Sequence, residues 1–383
     1  MRLNKLFILY SLFGILMASC IKDEAPNAEA DITGISFEED VLANSYIDLN
    51  PSYDESQNAY PIRISVKEGT DMTSLAPIFE LTPGATISPA SGSVQNFTTP
   101  VRYTVTSEDK AWHRVYAITA REQKASNIPT TYHFEKVRIM QNVWQEFYEE
   151  QDSGNELTWA SGNKGFKWAM SEAATEDYPT TQIDNGKTGK CVKLETRLTG
   201  DLGNMVGMPI AAGNLFIGSF DMLNAINPLS ATRFGTPFYN KPLRLTGYYK
   251  YKAGEQFYEN GEYTSRKDIF NIYAIFYDGV KYDSAGKGTD VTLDGNLPNQ
   301  NYEHSSMVAL ALVSNPQETE GDEWKFFDIP FDYQRYGKKI DEARLAKGEY
   351  KIGIIFASSK DGATFEGAPG STLLIDEVEL IYE

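Results

Sequence analysis

The chain has 383 residues, with 53 acidic and 35 basic side chains, two cysteines, three histidines and a formal charge of −18. That length holds roughly two or three domains of about 150 residues, and 41% apolar with 13% aromatic residues excludes a wholly disordered chain. The acidic balance argues against a nucleic-acid partner, which needs a basic face against phosphate, and the cysteine and histidine counts leave no disulfide framework, four-thiolate zinc site or multi-histidine centre.

Arg2 and Lys5 open the chain, Leu6 to Met17 is a short apolar run, and Ala18 and Ser19 precede Cys20. This is the order of a secretory signal: positive end, apolar middle, small residues at the cut. Met17-Ala18-Ser19-Cys20 resembles the lipobox of bacterial lipoproteins. The resemblance implies a signal peptide over 1–19, acylation of the Cys20 thiol and a lipid anchor in the outer membrane. Lys22-Asp23-Glu24 resembles the export tag that carries such lipoproteins to the cell exterior. Residues 20–30 read as the lipidated cysteine and a polar tether. Later in the chain no run approaches the roughly 20 apolar residues of a membrane helix. The other cysteine, Cys191, reads as a small buried residue on a strand.

Residues 31–122 carry strand signals. Ile62 to Val66 and Val101 to Val105 alternate apolar with polar, which puts one face in a core and the other in water. Turn-rich stretches separate them, and Tyr116 to Ala120 closes a small sandwich. Gly69-Thr-Asp-Met-Thr-Ser-Leu-Ala-Pro, Pro83-Gly-Ala-Thr-Ile-Ser-Pro and Tyr103-Thr-Val-Thr-Ser-Glu-Asp resemble the immunoglobulin-like modules of surface lipoproteins, which implies a spacer. Trp112 and His113 read as the end of a hairpin packed on its own sheet. Residues 123–130 read as a linker.

From 131 to 383 the strand signals lengthen. Strands are expected at Lys190–Leu198, Leu215–Phe220, Leu243–Lys252, Ile269–Tyr277, Met307–Val313, Trp324–Ile329, Glu349–Ala357 and Thr372–Tyr382. Lys339 to Lys347 looks helical and Gly348 stops it. The expectation is all-β: a small immunoglobulin-like sandwich followed by a larger jelly-roll, lectin-like β-sandwich.

No zinc helix, phosphate loop or serine elbow is present. Carboxylates, amides and aromatics remain, the set that sugars require: rings stack on the apolar sugar face and polar tips meet the hydroxyls. Trp159-Ala-Ser-Gly-Asn-Lys-Gly-Phe-Lys-Trp168 reads as a glycine-hinged loop with two stacking rings, Trp159 and Trp168, and hydrogen-bonding tips Asn163 and Lys164, the alternative being that the tryptophans are core. Asp278, Asp283, Asp290 and Asp294 read as a solvated hairpin loop without EF-hand spacing. In Tyr248-Tyr-Lys-Tyr-Lys252, alternate rings face the core and the others a flat surface. Period two in Leu374 to Tyr382 puts Asp376 on the face of Leu374, Val378, Leu380 and Tyr382, where a carboxylate needs a partner.

Lys351 to Leu380 resembles the “putative carbohydrate metabolism domain” family of surface lipoproteins, with supporting matches at Gly189 to Thr196, Ala212 to Phe220 and Pro242 to Tyr251. The resemblance spans about 131–383 and directs attention to Ser358, Ser359, Lys360, Glu366 and Ser371. Carbohydrate-binding jelly rolls place a Phe-Glu near the first strand and an Ile-Asp near the last around a structural calcium; Phe134-Glu135 and Ile375-Asp376 match, which implies calcium at Glu135 and Asp376. The first functional expectation is an outer-membrane lipoprotein that binds glycan for carbohydrate utilisation, alongside a transporter or enzyme of the same glycan system. The second is a glycoside hydrolase using two carboxylates, about 5–5.5 Å apart if retaining or about 6.5–9.5 Å if inverting, with Glu366, Glu146 and Asp278 as candidates. A third is an adhesin or assembly protein without a sugar site.

Overall fold

The computed structural model describes residues 26–44, 46–123, 125–151, 154–222 and 227–383. The expected signal peptide over 1–19, Cys20 and the expected export tag at 22–24 lie outside the described residues. No helix among the described residues is long and apolar enough to cross a membrane. The chain divides into two compact units, up to Gln123 and from Lys124 onward.

In the first unit, Tyr60–Lys67 runs parallel to His113–Gln123, which pairs antiparallel with Val101–Thr106, and that strand with Thr86–Ser88. Ile32–Ser36 and Ile78–Leu81 form a separate antiparallel pair. The alternation seen in the sequence is realised: Ile62, Ile64 and Val66 face Tyr103, Val105, Tyr116 and Ile118 in one core. Two expectations fail. The tether ends earlier than residue 30, because Ala30 is buried and Asn27 N donates to Glu108 Oε2 at 2.8 Å. Trp112 is exposed, not packed on its sheet.

The second unit is built on two large antiparallel sheets. The first has the order Thr180–Ile183, Cys191–Glu195, Thr372–Tyr382, Pro242–Lys252, Lys325–Pro330, with Thr131–Tyr132 beside the far half of Thr372–Tyr382. The second has the order Asn214–Phe216, Tyr350–Ala357, Asn271–Asp278, Met307–Leu312, with Thr236–Pro237 extending its edge. Val192, Leu245, Tyr249 and Leu373 of one meet Ile272, Phe276, Ile354 and Phe356 of the other. On its outer side the second sheet is covered by a further apolar cluster that joins Phe216, Tyr273 and Ile275 to Phe234, Leu293 and Tyr302. Buried on both faces, Asn271–Asp278 therefore reads as a continuous apolar run rather than an alternation. The first sheet leaves part of its outer face open, and alternation is preserved over Gly247 to Lys252 of the Pro242–Lys252 strand.

A bulge changes the phase of the last strand. Its pairing with Pro242–Lys252 skips between Thr246↔Glu379 and Tyr248↔Asp376, and Glu377 takes φ 48°. Gly247 sits opposite, where a Cβ would press within 2.7 Å of Phe327 and 2.8 Å of Val378. Leu373 and Ile375 face the core before the bulge, and Val378, Leu380 and Tyr382 after it. The single face expected for Leu374, Asp376, Val378, Leu380 and Tyr382 does not exist: Asp376 points to the opposite side of the sheet from Val378.

Short helices lie in the connections. Asn163–Ala169 is an α-helix, not the flexible loop expected, and Gly200–Met205 and Glu342–Leu345 are others. Asp341 caps the last, accepting from Ala343 N and Arg344 N.

Candidate functional site

The open part of the first sheet carries an aromatic strip. Tyr248 and Phe326 are cross-strand partners, their neighbours Tyr249 and Phe327 being turned into the core. The two outward rings lie 5.2 Å apart, and Phe326 is 53% exposed. Trp324, two residues before Phe326, lies 5.0 Å from the Lys250 ammonium, which also meets Asp322 at 2.5 Å. The Lys187 ammonium lies 4.9 Å over the Tyr248 ring. Arg244 and Asp328 pair at 2.6 Å along the same two strands. An apolar platform bordered by charged donors and acceptors is the chemistry that a sugar ring and its hydroxyls take. Tyr248 was legible as an outward ring; Phe326 and Trp324 were missed, because their place depends on a register set by a distant strand.

The residues singled out in the tryptophan stretch separate. Trp159 is 1% exposed and packs on Tyr132, Phe134 and Phe356, so it is core and cannot stack on a ligand. Asn163 is also buried: its amide donates to Thr180 O at 2.7 Å and accepts from Thr180 N at 3.1 Å, which anchors the helix rather than a sugar. Lys164 is exposed on that helix. Trp168, Ser359 and Lys360 line one cavity of about 580 Å³. Within it Ser359 is engaged, donating to Asp268 Oδ2 at 2.5 Å and bonded to Thr196 Oγ1 at 2.6 Å. Ser371 reaches the same Asp268 oxygen at 2.7 Å, and Ser358 bonds Thr196 at 2.8 Å. These serines of the family motif hold the Ser358–Ser371 connection together.

The three candidate catalytic acids stand apart, and none lines the cavity or the cleft beside it. Asp278 is clamped by both terminal nitrogens of Arg344, at 2.9 and 2.6 Å. Glu146 lies opposite Arg138 across a strand pair, and burial raises its carboxyl pKa. Glu366 is half-buried in the turn after Gly362–Thr364. Asp283 accepts from Ala285 N and Lys287 N, Asp290 pairs with Lys351, and Asp294 accepts from Asn296 N, so that loop is held by its own bonds. The cleft next to the cavity is lined by Glu172, Asp177 and Glu195, acids the sequence reading passed over; Glu195 is held by Arg197 at 3.1 Å and Lys193 at 3.0 Å.

Another unforeseen acid is Glu149, whose Oε1 accepts from Phe134 N at 2.7 Å and whose burial pushes its pKa up to about 7. Below pH 4.5 it is protonated in the folded and unfolded chain alike. Between pH 4.5 and about 7 the unfolded chain ionises first, so folding stability falls as pH rises. Glu149→Gln keeps the acceptor and removes the charge. It is expected to match wild type at pH 4 and to exceed it by up to about 3 kcal/mol at pH 8 in urea unfolding. A difference independent of pH would contradict this.

Glu135 and Asp376 come to one loop from opposite ends of the unit. Glu135 Oε1 accepts from Lys190 N at 2.7 Å and the fully buried Asp376 from Thr188 N at 3.0 Å. Burial pushes the Asp376 pKa up to about 6 and that of the neighbouring Cys191 thiol up to about 12. A Cβ at Gly189 would overlap Glu135 Oε1, and one at Gly186 would lie 2.8 Å from Asp376 Oδ2, so only glycine lets this backbone close on the carboxylates. The two carboxylates are oxygen donors of the kind calcium takes, whereas the loop backbone seen to reach them does so through N–H groups. Among the described residues no group of three or more His, Cys, Asp or Glu gathers there.

Comparison with known proteins bears on the second unit first. The model of the family described as “Putative carbohydrate metabolism domain” matches residues 133–381, nearly the whole of that unit. The chain belongs to this family. In the putative carbohydrate metabolism domain of this chain the match runs from His133, in the connection that carries Glu135, to the last long strand. A second family model, the N-terminal domain of surface glycan-binding proteins, matches residues 48–120. A crystal structure from Bacteroides vulgatus ATCC 8482, described as “a putative glycoside hydrolase”, is 50% identical, covering 68% of this chain and 100% of its own, with a TM-score of 0.62. One from Bacteroides thetaiotaomicron VPI-5482, described in the same words, is 45% identical, covering 94% of this chain and 99% of its own, with a TM-score of 0.60. No curated protein matches the chain. The function of this family member is carbohydrate-related.

Proposed function

We propose that the protein is a lipid-anchored surface protein of the outer membrane that binds glycan for carbohydrate utilisation. Its lipobox-like start and the surface glycan-binding match of its first unit support the location. The observation that carries the binding function is the strip on the open sheet face formed by the exposed Phe326 and the half-buried Tyr248 and Trp324, with Lys187 and Lys250 at its border. A ring as exposed as Phe326 contributes little to folding, whereas a bound sugar face would cover it and the open parts of Tyr248 and Trp324. Phe326→Ala and Trp324→Ala are each expected to weaken glycan binding about tenfold, the scale of one lost stacking contact, with the melting temperature within about 2 °C of wild type. A glycan-array screen followed by calorimetry on the strongest hit is the test; wild-type affinity in both variants would remove the strip from the site.

The glycoside hydrolase reading draws on the names of the two solved relatives. Its candidate acids are Glu172, Asp177 and Glu195 of the cleft, since the three acids singled out in the sequence lie elsewhere. Release of reducing sugar from an array hit, lost in Glu172→Gln, would favour it.

A structural calcium forms part of the proposal, with Glu135, Asp376 and the backbone between Gly186 and Lys190 as its holders. Bound there it would fasten the connection after Thr131–Tyr132 to the last strand through one loop. The melting temperature is then expected to fall by several degrees in EDTA and to recover with added calcium. An unchanged melting temperature would leave the two carboxylates to the loop amides alone.

A further inference from the structure

The cavity beside Trp168 is poorly matched to a sugar. Its wall is mostly apolar, including Phe166, Met208, Ile210, Phe220 and Ile355. The polar side chains on that wall are turned to protein partners. Asn214 accepts from Gly162 N at 2.8 Å and donates to Ala212 O at 3.3 Å. Asn271 donates to the Tyr302 hydroxyl, Thr199 to Met208 O, and Ser359 to Asp268. A ligand rich in hydroxyls would lose its water bonds there and regain few of them.

One charged side chain lines the cavity, Lys360. It is exposed, and no carboxylate among the described residues pairs with its ammonium; the adjacent Asp361 is held by Arg266. An unpaired lysine at an apolar opening is a local positive charge that an anion can meet, although the net charge of −18 repels anions at longer range. Around the same opening the surface is unusually apolar: Trp168 is 54% exposed and, on and after the Gly200–Met205 helix, Leu202, Met205 and Val206 are exposed too, Met205 at 84%. A volume of about 580 Å³ lies inside the roughly 300–1,000 Å³ of small-molecule sites.

We propose that this cavity binds an amphipathic anion, its apolar body inside and its acidic head at Lys360. The site is separate from the aromatic strip and does not depend on the glycan reading. An alkyl carboxylate satisfies every wall contact without needing an internal hydrogen bond, and Lys360 supplies the one charge it requires. Burial of each further methylene is expected to tighten binding about fourfold until the cavity is full.

The test is isothermal titration of the purified protein with octanoate, decanoate and decanol. Binding at one site per chain, tightening from octanoate to decanoate, is the expected result. Ala363→Trp, placed at an exposed position on the lining, should weaken decanoate at least tenfold. Lys360→Glu should weaken decanoate at least fivefold and leave decanol within twofold. Absence of decanoate binding, or wild-type affinity in Ala363→Trp, would overturn the proposal. Should Ala363→Trp fold poorly, the Lys360→Glu comparison decides: equal effects on decanoate and decanol would overturn it. Because the Phe326→Ala variant leaves this cavity intact, loss of glycan binding with retained decanoate binding would show the two sites failing separately.

Discussion

Replacing Trp159 with alanine is expected to lower the stability of the second unit by about 3–5 kcal/mol, the range for truncating a large buried aromatic. The indole lies between the sheets against Tyr132 at 5.0 Å, Phe134 at 5.7 Å and Phe356 at 5.9 Å. Those neighbours come from two separate segments, Tyr132 and Phe134 from one and Phe356 from the other, so the void cannot close by one side chain moving. For a unit of this size the melting temperature should fall by roughly 10 °C. The Trp159 Nε1 has no hydrogen-bond partner, so phenylalanine in its place gives up no bond and should be tolerated far better. Differential scanning calorimetry reads both variants. A melting point within about 2 °C of wild type for Trp159→Ala, together with lost glycan binding, would return this ring to the binding surface.

Asp268→Ala should be comparably severe. Asp268 is buried, and burial raises its pKa, yet its carboxylate accepts from Ser359 Oγ, Ser371 Oγ, Ala368 N and Ile269 N. Alanine takes the acceptor from three buried donors and the half-buried Ile269 N, and of these Ser359 keeps its bond to Thr196; at about 1–3 kcal/mol per buried donor less any relaxation, a loss of about 4 kcal/mol is expected. Asp268→Asn retains an acceptor oxygen and should lose less. The effect has a local signature. The Ser358–Ser371 connection carries Lys360, Gly362, Ala363 and Phe365 of the cavity lining, so hydrogen exchange should rise there first. A urea midpoint matching that of wild type would show that the donors find other partners.

The strands of both units were legible because period-two alternation is a direct consequence of a pleated sheet with one face in a core. Where the environment differs, so does the signal: Asn271–Asp278 is covered on both sides and shows no alternation. The misplacement of Asp376 has one cause, the bulge at Glu377, since a single extra residue reverses the faces of all that follows. Trp159 and Trp168 carry the same local chemistry and meet opposite fates. Trp159 precedes the bridge from Ala160 to Phe216 and enters the core, whereas Trp168 lies on the outer side of a helix whose Phe166 is buried. Spacing along the chain contains neither fact. Tyr248 was recognisable alone, but a strip exists only when Phe326 is set beside it by pairing.

The claim on which the account rests is that sugar stacks on Tyr248, Phe326 and Trp324 and is held uncut. The most direct measurement is titration of an array-identified oligosaccharide into wild type and Phe326→Ala, with reducing ends assayed after overnight incubation. The account predicts binding by wild type, about tenfold weaker binding by the variant, matching melting curves and no new reducing ends. Oligosaccharide bound equally by both proteins, or cleaved by wild type, would contradict it.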